Sequence, residues 1–488
     1  MIMDTANTGA NGPVLRGNDY GPLERPTGAW RPRLRVSVVI PAHGHQDKLD
    51  ATLASLAAQT YPAELLEVLV VDDGTAPPLR LPDIRPDETR IVAPLPDGWA
   101  SAHATNSGVA QSEGDVVLRL DSDMLVFDDH VEAQMRWHHA ADYLAVLGHK
   151  RFVDYRAGDL DPGAVFAAVQ AGKAAELYDA DTAEPQWIER IIDATAGLRE
   201  SDHRAFRVLV GATFSVHRRL YEAAGGMDAD MVFGSDTVFG YRLHQAGAVF
   251  VPDADSSAWH LGPRQISVRG DLAKRYRAPR IANRVPELDL KRPRANRNWD
   301  TPLADVTVAA GTGVQSCVDA LLTGTTPDLR VTLTGEWPEP ETRRHAPLDD
   351  PHFEARLLME SFKGEGRVRF ARTAPPAKDA PYRIEVPPAA TPSPDAIAAL
   401  VAHANERRLG LVEVMLPEGT VRLERTAAAA RAAHLGVPID AVWGYERIVA
   451  GPLVTAFGAS PSGAGDPAGS GEGLGGKARG ILRRALGR

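Results

Sequence analysis

Two carboxylates one residue apart, Asp121 and Asp123, follow the apolar run Val116-Val117-Leu118-Arg119-Leu120. Carboxylate oxygens are hard ligands suited to Mg2+ or Mn2+ carrying a phosphate-bearing substrate. Asp-x-Asp is common by chance, and most such pairs are solvated loop acids, so the weight of this pair depends on its setting. The preceding run reads as a buried strand. In an open α/β sheet, ligands bind beyond the carboxyl ends of such strands. A second pair, Asp72-Asp73-Gly74, closes another apolar run, Leu66 to Val71.

The elements that would hold these acids can be read from period and punctuation. Val36 to Ile40 is β-branched and nearly all apolar, as expected of a buried parallel strand, and Pro41 ends it. Lys48 to Gln59 places Leu49, Leu53, Leu56 and Ala57 on one helical face. Strands follow at 66–71, 90–92 and 115–120, with a helix over 100–110 before the last. Further on, a strand over 208–216, a helix over 218–224 stopped by Gly225-Gly226, a helix over 238–245 and a strand over 249–251 are predicted. The fold class is therefore α/β, with a doubly wound, mostly parallel sheet.

A chain of 488 residues is too long for one typical domain. A flexible leader is expected over 1–33, where Gly and Pro recur. The first folded unit spans 34–265, and an Arg-rich basic connection covers 266–301. Residues 302–457 repeat the strand rhythm at 305–310, 329–334, 367–370 and 382–386, as a second, smaller α/β domain and a candidate degenerate copy of the first. Where the first copy carries Asp121-Ser122-Asp123, the second has Pro387-Pro388-Ala389, so no metal is expected there. Residues 458–476 read as a Gly/Ser-rich linker. Residues 477–488 form a basic tail in which Ile481, Leu482 and Leu486 can share a face, a candidate for peripheral contact with an anionic membrane surface.

The net charge of −10 argues against general nucleic-acid binding. The single cysteine, Cys317, excludes a disulfide within the chain and any Cys-built zinc site. With neither a signal-peptide core near the N-terminus nor a run of about 18 apolar residues, a cytoplasmic location is expected, with the tail able to meet the inner face of the membrane.

An ordered set of short motifs carries a resemblance. Val38-Val39-Ile40-Pro41-Ala42-His43, Val70-Val71-Asp72-Asp73-Gly74, Asn106-x-Gly108, Gly114-Asp115, Leu120-Asp121-Ser122-Asp123, Gly211-Ala212-Thr213-Phe214-Ser215, Gly225-Gly226-Met227-Asp228, Gly234-Ser235-Asp236-Thr237 and Tyr241-Arg242-Leu243 resemble family 2 glycosyltransferases of GT-A fold over roughly residues 35–262. The resemblance implies a nucleotide-sugar donor bound by Pro41, His43, Asp72, Asp73, Asn106 and Asp121. A carboxylate at Asp73 can accept the imide N–H of uracil, which favours a UDP donor. It implies Mn2+ or Mg2+ held by Asp121 and Asp123, with His260 in the place of the acid that often follows the pair, where Met124 stands here. It implies Asp236 as the base that takes the proton of an acceptor hydroxyl, giving inversion by single displacement. A glycan, lipid-linked or small-molecule acceptor fits, as in cell-envelope or glycoconjugate synthesis.

The chain departs from the family pattern in three further places. Thr105 replaces the usual Arg before Asn106, His43-Gly44 replaces an aromatic or Asn, and Ser235 replaces the first acid of a Glu-Asp pair. Each acid also has a plainer reading: Asp-Gly forms turns unaided, and Ser or Asp before a helix caps its amides. Two other classes remain: nucleotidyl transfer onto a sugar phosphate, for which the Gly-rich basic loop is missing after the first strand, and a non-catalytic binding or scaffold protein.

Overall fold

The computed structural model describes residues 12–23, 30–263, 270–288, 292, 297–339, 346–375 and 379–458, with a two-residue strand at Thr8–Gly9. The expected tail over 477–488 and nearly all of the linker over 458–476 lie outside the described residues. No helix among the described residues is long and apolar enough to cross a membrane.

The first sheet is built from β1 (Val36–Ala42), β2 (Leu66–Asp72), β3 (Thr89–Val92), β4 (Val116–Leu120), β5 (Met124–Val126), β6 (Leu144–Val153), β7 (Thr213–His217) and β8 (Val249–Leu261). Their spatial order is β3-β2-β1-β4-β7-β6-β8-β5. Strands β3 to β4 run parallel, β7 is antiparallel to both neighbours, and β8 is parallel to β6. The buried, mostly apolar runs in β1, β2 and β4 fit strands covered on both faces. Helices α1 (Gln46–Ala57) and α2 (Ala100–Ala110) link the first strands, and α3 (His130–Ala140) precedes β6. The Asn106-x-Gly108 motif has a packing cause: a Cβ at Gly108 would lie 2.4 Å from Val39 Cγ1, so only a bare Cα lets α2 approach the sheet this closely. Helices α4 (Pro162–Gln170) and α5 (Glu189–Ala194) lie in the long β6–β7 connection, and α6 (Arg218–Ala223) and α7 (Ser235–Gln245) lie between β7 and β8. The strand expected over 208–216 begins later, at Thr213, after a 3-10 turn over Ala205–Val208.

Helix α8 (Gly270–Arg284) occupies the Arg-rich connection. The second sheet comprises β9 (Ala304–Ala309), β10 (Leu329–Thr334), β11 (Val368–Ala371), β12 (Tyr382–Val386), β13 (Leu409–Leu416), β14 (Gly419–Arg425) and β15 (Gly444–Ile448), ordered β11-β10-β9-β12-β14-β13-β15. Strand for strand, this is the order and direction of the first sheet without β5. Helix α9 (Val314–Thr323) matches α1, α11 (Ala396–Glu406) matches α3, and α12 (Thr426–Leu435) with α13 (Ile439–Val442) matches α6 and α7. Helix α10 (Phe353–Ser361) sits between β10 and β11, where the first unit has no helix, and α14 (Pro452–Phe457) closes the unit.

The leader needs correction. Residues 12–23 are not a loose tether. Leu15 is fully buried, and Asn18 donates to the Leu198 and Phe250 carbonyls while accepting from Phe250 N. This segment is wedged where the two units meet. There the buried Arg431 of α12 donates to the carbonyls of Leu15, Gly17, Gly247 and Ala248. Gly and Pro content signalled flexibility, but burial and one well-placed amide decide the outcome.

Candidate metal and donor site

Strand register builds the site. Strand β4 ends at Leu120, and Asp121 N is tied to the Ala212 carbonyl at 2.8 Å. The chain turns at once into β5, which pairs antiparallel with the end of β8 so that His260 stands opposite Met124. Leu261 N donates to the Asp123 carbonyl at 2.8 Å. Ligand atoms of Asp121, Asp123 and His260 consequently lie within 4.8 Å of one another, and His260 Nε2 is 3.5 Å from Asp123 Oδ1. Two carboxylates and an imidazole at this spacing form a donor set that fits a divalent cation. Met124 is fully buried, so the residue after the pair supplies packing where a third acid would have stood.

The two carboxyls differ in their electrostatics. Burial works against charge on Asp121, but the Arg119 guanidinium, followed by His260 and Lys150, outweighs it and holds the carboxyl below the usual range. Asp123 is pushed up by burial, and the neighbouring Asp121 charge adds to this against the pull of His260 and Lys48. One acid that ionises readily beside one that resists is the expected state of close carboxylates lacking enough positive charge between them.

Arg119 was the readable signal that sequence reasoning left unused: a charged residue inside a wholly buried strand. Its Nη2 donates to Asp121 Oδ1 at 2.7 Å and to Ser101 Oγ at 2.9 Å. The guanidinium packs on Gly211, where a Cβ would lie 3.3 Å from Nη1. Lys48 gave no signal at all. It reaches the site because α1 packs on β5, the strand that directly follows Asp123, and its Nζ stands 3.5 Å from Asp123 Oδ2.

The residues expected at the nucleoside fall into two groups. Pro41 is buried at the end of β1, and the exposed His43 shares a 2.9 Å contact between Nδ1 and the Asp73 carbonyl. Asp73 Oδ2 accepts from Ala100 N at 2.8 Å, so this acid joins the β2 loop to the start of α2. Asp72 uses both oxygens internally, accepting from the amides of Thr75 and Leu79. Burial opposes its charge, but these bonds and the Thr75 hydroxyl hold its carboxyl low. Asn106 is likewise spent: Nδ2 donates to the Met227 carbonyl, while Oδ1 accepts from Met227 N and the Tyr221 hydroxyl. Asp72 and Asn106, the residues expected at the donor, also brace a loop and a helix.

Asp236 opens α7 after Gly234, whose φ of 84° lets the chain turn into the helix. Its Oδ1 accepts from Thr237 N, and its Oδ2 from Gly211 N at 3.2 Å. The same Gly211 touches Arg119, so Asp236 and Asp121 are joined through one guanidinium and one loop.

Residues 37–164 match the family model described as Glycosyl transferase family 2. The chain carries a family 2 glycosyltransferase unit. Among curated proteins, it is 28% identical over 247 residues to the probable glycosyltransferase YdaM of Bacillus subtilis, covering 47% of this chain and 52% of that protein. It is 24% identical over 326 residues to the hyaluronan synthase of Pasteurella multocida, covering 62% of this chain and 33% of the synthase. The chain thus spans only a third to a half of the length of these relatives. Among solved structures, a mannosyltransferase from Pyrobaculum calidifontis in complex with GDP-Man and Mn2+ aligns at 18% identity with a TM-score of 0.36, covering 53% of this chain and 66% of that one. The matched segment lies in the first of two α/β units, whose sheet is mostly parallel, and a second sheet follows it in the chain.

Proposed function

We propose that this protein moves a glycosyl group from a nucleotide-sugar donor to an acceptor hydroxyl, with inversion at the anomeric carbon. The observation that carries the reading is the Asp121–Asp123–His260 cluster at the sheet edge of a family 2 unit. These three residues would hold Mn2+ or Mg2+, which when bound neutralises charge on the departing diphosphate. Asp123 and His260 supply one ligand atom each. Asp121, anchored by Arg119, would share in holding the ion and could accept from the ribose.

Asp73 has one carboxylate oxygen beyond its bond to Ala100, and that oxygen accepts the imide of a uracil base, which supports a UDP donor. Asp236 takes the proton of the acceptor hydroxyl. The acceptor oxygen bonds the anomeric carbon as the bond to the diphosphate oxygen breaks. Gly211 N and Thr237 N hold the Asp236 carboxylate in place for that transfer. The acceptor is a glycan or glycoconjugate of the kind assembled at the cell envelope. The basic residues of the tail would attach the enzyme weakly to anionic lipid, at about 1 kcal/mol each. Vesicle co-sedimentation of the full chain against a chain ending at Phe457 tests that attachment, and equal binding removes it.

The main test is donor selection and stereochemistry. In Mn2+, UDP-sugars should raise the unfolding temperature more than GDP-sugars. A ligand at 100 times its Kd stabilises by about 2.7 kcal/mol. NMR of the first-formed product should show the anomeric configuration inverted relative to the donor. Retention would remove the single-displacement role of Asp236, and a GDP preference would remove the assignment of Asp73.

A further inference from the structure

The ammonium of Lys48 sits in a seat made by four features of the fold. It donates to the Leu261 carbonyl and stands 3.5 Å from Asp123 Oδ2. It lies 5.6 Å from the centre of the Tyr155 ring. Gly262 passes so close that a Cβ there would be 3.1 Å from Nζ. Tyr155 is itself fixed by its hydroxyl bond to Asp47, one residue before Lys48. Asp123 therefore has His260 on one oxygen and Lys48 on the other.

That arrangement sets a conflict. An ammonium has only protons to offer and cannot ligate a metal. A divalent ion on Asp121, Asp123 and His260 would lie beside it, and like charges at such distances in a partly buried site repel strongly. The lysine stem is flexible, and a phosphate oxygen is a stronger partner for its tip than a peptide carbonyl. We infer that Lys48 couples metal loading to diphosphate binding: the ammonium competes with the ion for Asp123 in the free protein, and swings to the diphosphate when a nucleotide sugar arrives. The ion alone then binds weakly, the ion with diphosphate binds well, and by linkage each favours the other. This inference rests on the proposed metal site and goes beyond it, by naming the residue that sets the order of binding.

The test is Mn2+ binding to the full chain by titration calorimetry, alone and with saturating pyrophosphate, with thermal unfolding recorded for each variant. Lys48→Gln should bind Mn2+ alone about tenfold more tightly than the native chain, and pyrophosphate should improve that affinity much less than it does in the native chain. Lys48→Arg, which keeps the charge, should stay weak for Mn2+ alone and guards against a folding defect in the Gln variant. Unchanged or weaker Mn2+ affinity in a folded Lys48→Gln chain would overturn the coupling role. Asp123→Asn separates the two levels. If it leaves Mn2+ binding intact, the metal site itself falls and the Lys48 inference falls with it. If it abolishes binding while Lys48→Gln changes nothing, only the inference falls.

Discussion

The two sheets of this chain share strand order and direction, yet their carboxyl edges differ in almost every respect that matters to chemistry. After β1 and β2, Gly44 and Gly74 stand open, and a Cβ at either would meet nothing within 4 Å. After the matching strands of the second unit, a Cβ at Gly311 would meet Pro388 at 3.1 Å, and one at Gly335 would meet Ala310 at 3.0 Å and Trp337 at 3.5 Å. Where β4 delivers Asp121 and Asp123, β12 delivers Pro387 and Pro388. The second unit also lacks the counterpart of β5, the strand that carries the chain past His260. One edge keeps open glycines beside charged side chains, and the other is packed with proline and tryptophan. The apolar strands carry the architecture in both. A handful of residues at the strand ends decides whether that architecture has a site.

The largest effect that would sharpen this contrast is on turnover. Asp236→Asn should lower the rate of glycosyl transfer by about 10²–10⁴-fold while sparing donor affinity, because it removes the proposed proton acceptor and, of the two amide bonds to the carboxylate, can keep only one. Steady-state kinetics with a donor titration reads both quantities, and a loss confined to donor affinity would make Asp236 a brace for the Gly211 loop. Next in size is the joint between the units. Burial pushes the Arg431 guanidinium down to about 10, and it serves four carbonyls drawn from the leader and the β7–β8 region. Arg431→Met should cost at least about 3 kcal/mol, since buried carbonyls are left without donors. Denaturant unfolding would show the loss, and separate transitions for the two units would show that this joint makes them cooperative.

Acid should also distinguish the units. Among the described residues, every histidine held below its ordinary range lies in the first: His130, His138, His139, His149, His203, His217 and His244. His130 is pushed down to about 4 by burial, with Lys150 adding to it against the Ser257 carbonyl. Between about pH 6.5 and 4 the unfolded chain takes up a proton that folded His130 refuses, so stability is present above this window and falls as the pH drops through it. The His130 share is on the order of 3 kcal/mol. Hydrogen exchange resolved by unit should show the first loosening before the second. The smallest expected effect is on the closed edge. Pro388→Asp should add no bound ion, because one acid set against Gly311 and Gly313 has no partner ligands.

Much of this was legible in the sequence. Asp121 and Asp123 stood out because a mostly apolar strand ran straight into them. The repeat showed in the strand rhythm of 302–457. What escaped depended on contacts distant in sequence. Lys48 meets Asp123 only because α1 lies on β5, the strand that follows that acid. Asn106 turns inward because Gly226-Met227 passes beside α2, and Asp72 is absorbed by its own loop. Leu15 and Asn18 hold the leader down through partners such as Phe250, more than 200 residues away. His260 was reachable only through the family resemblance, since a lone histidine after a tryptophan carries no pattern of its own.

The proposed function requires one divalent-cation site, held by Asp121, Asp123 and His260 at the edge of the first sheet. Counting bound Mn2+ by electron paramagnetic resonance, on the native chain and on Asp123→Asn with matched thermal unfolding, tests it most directly. One ion per native chain and none per Asp123→Asn chain is the predicted result. Two ions per native chain, or an undiminished ion in Asp123→Asn, would contradict it.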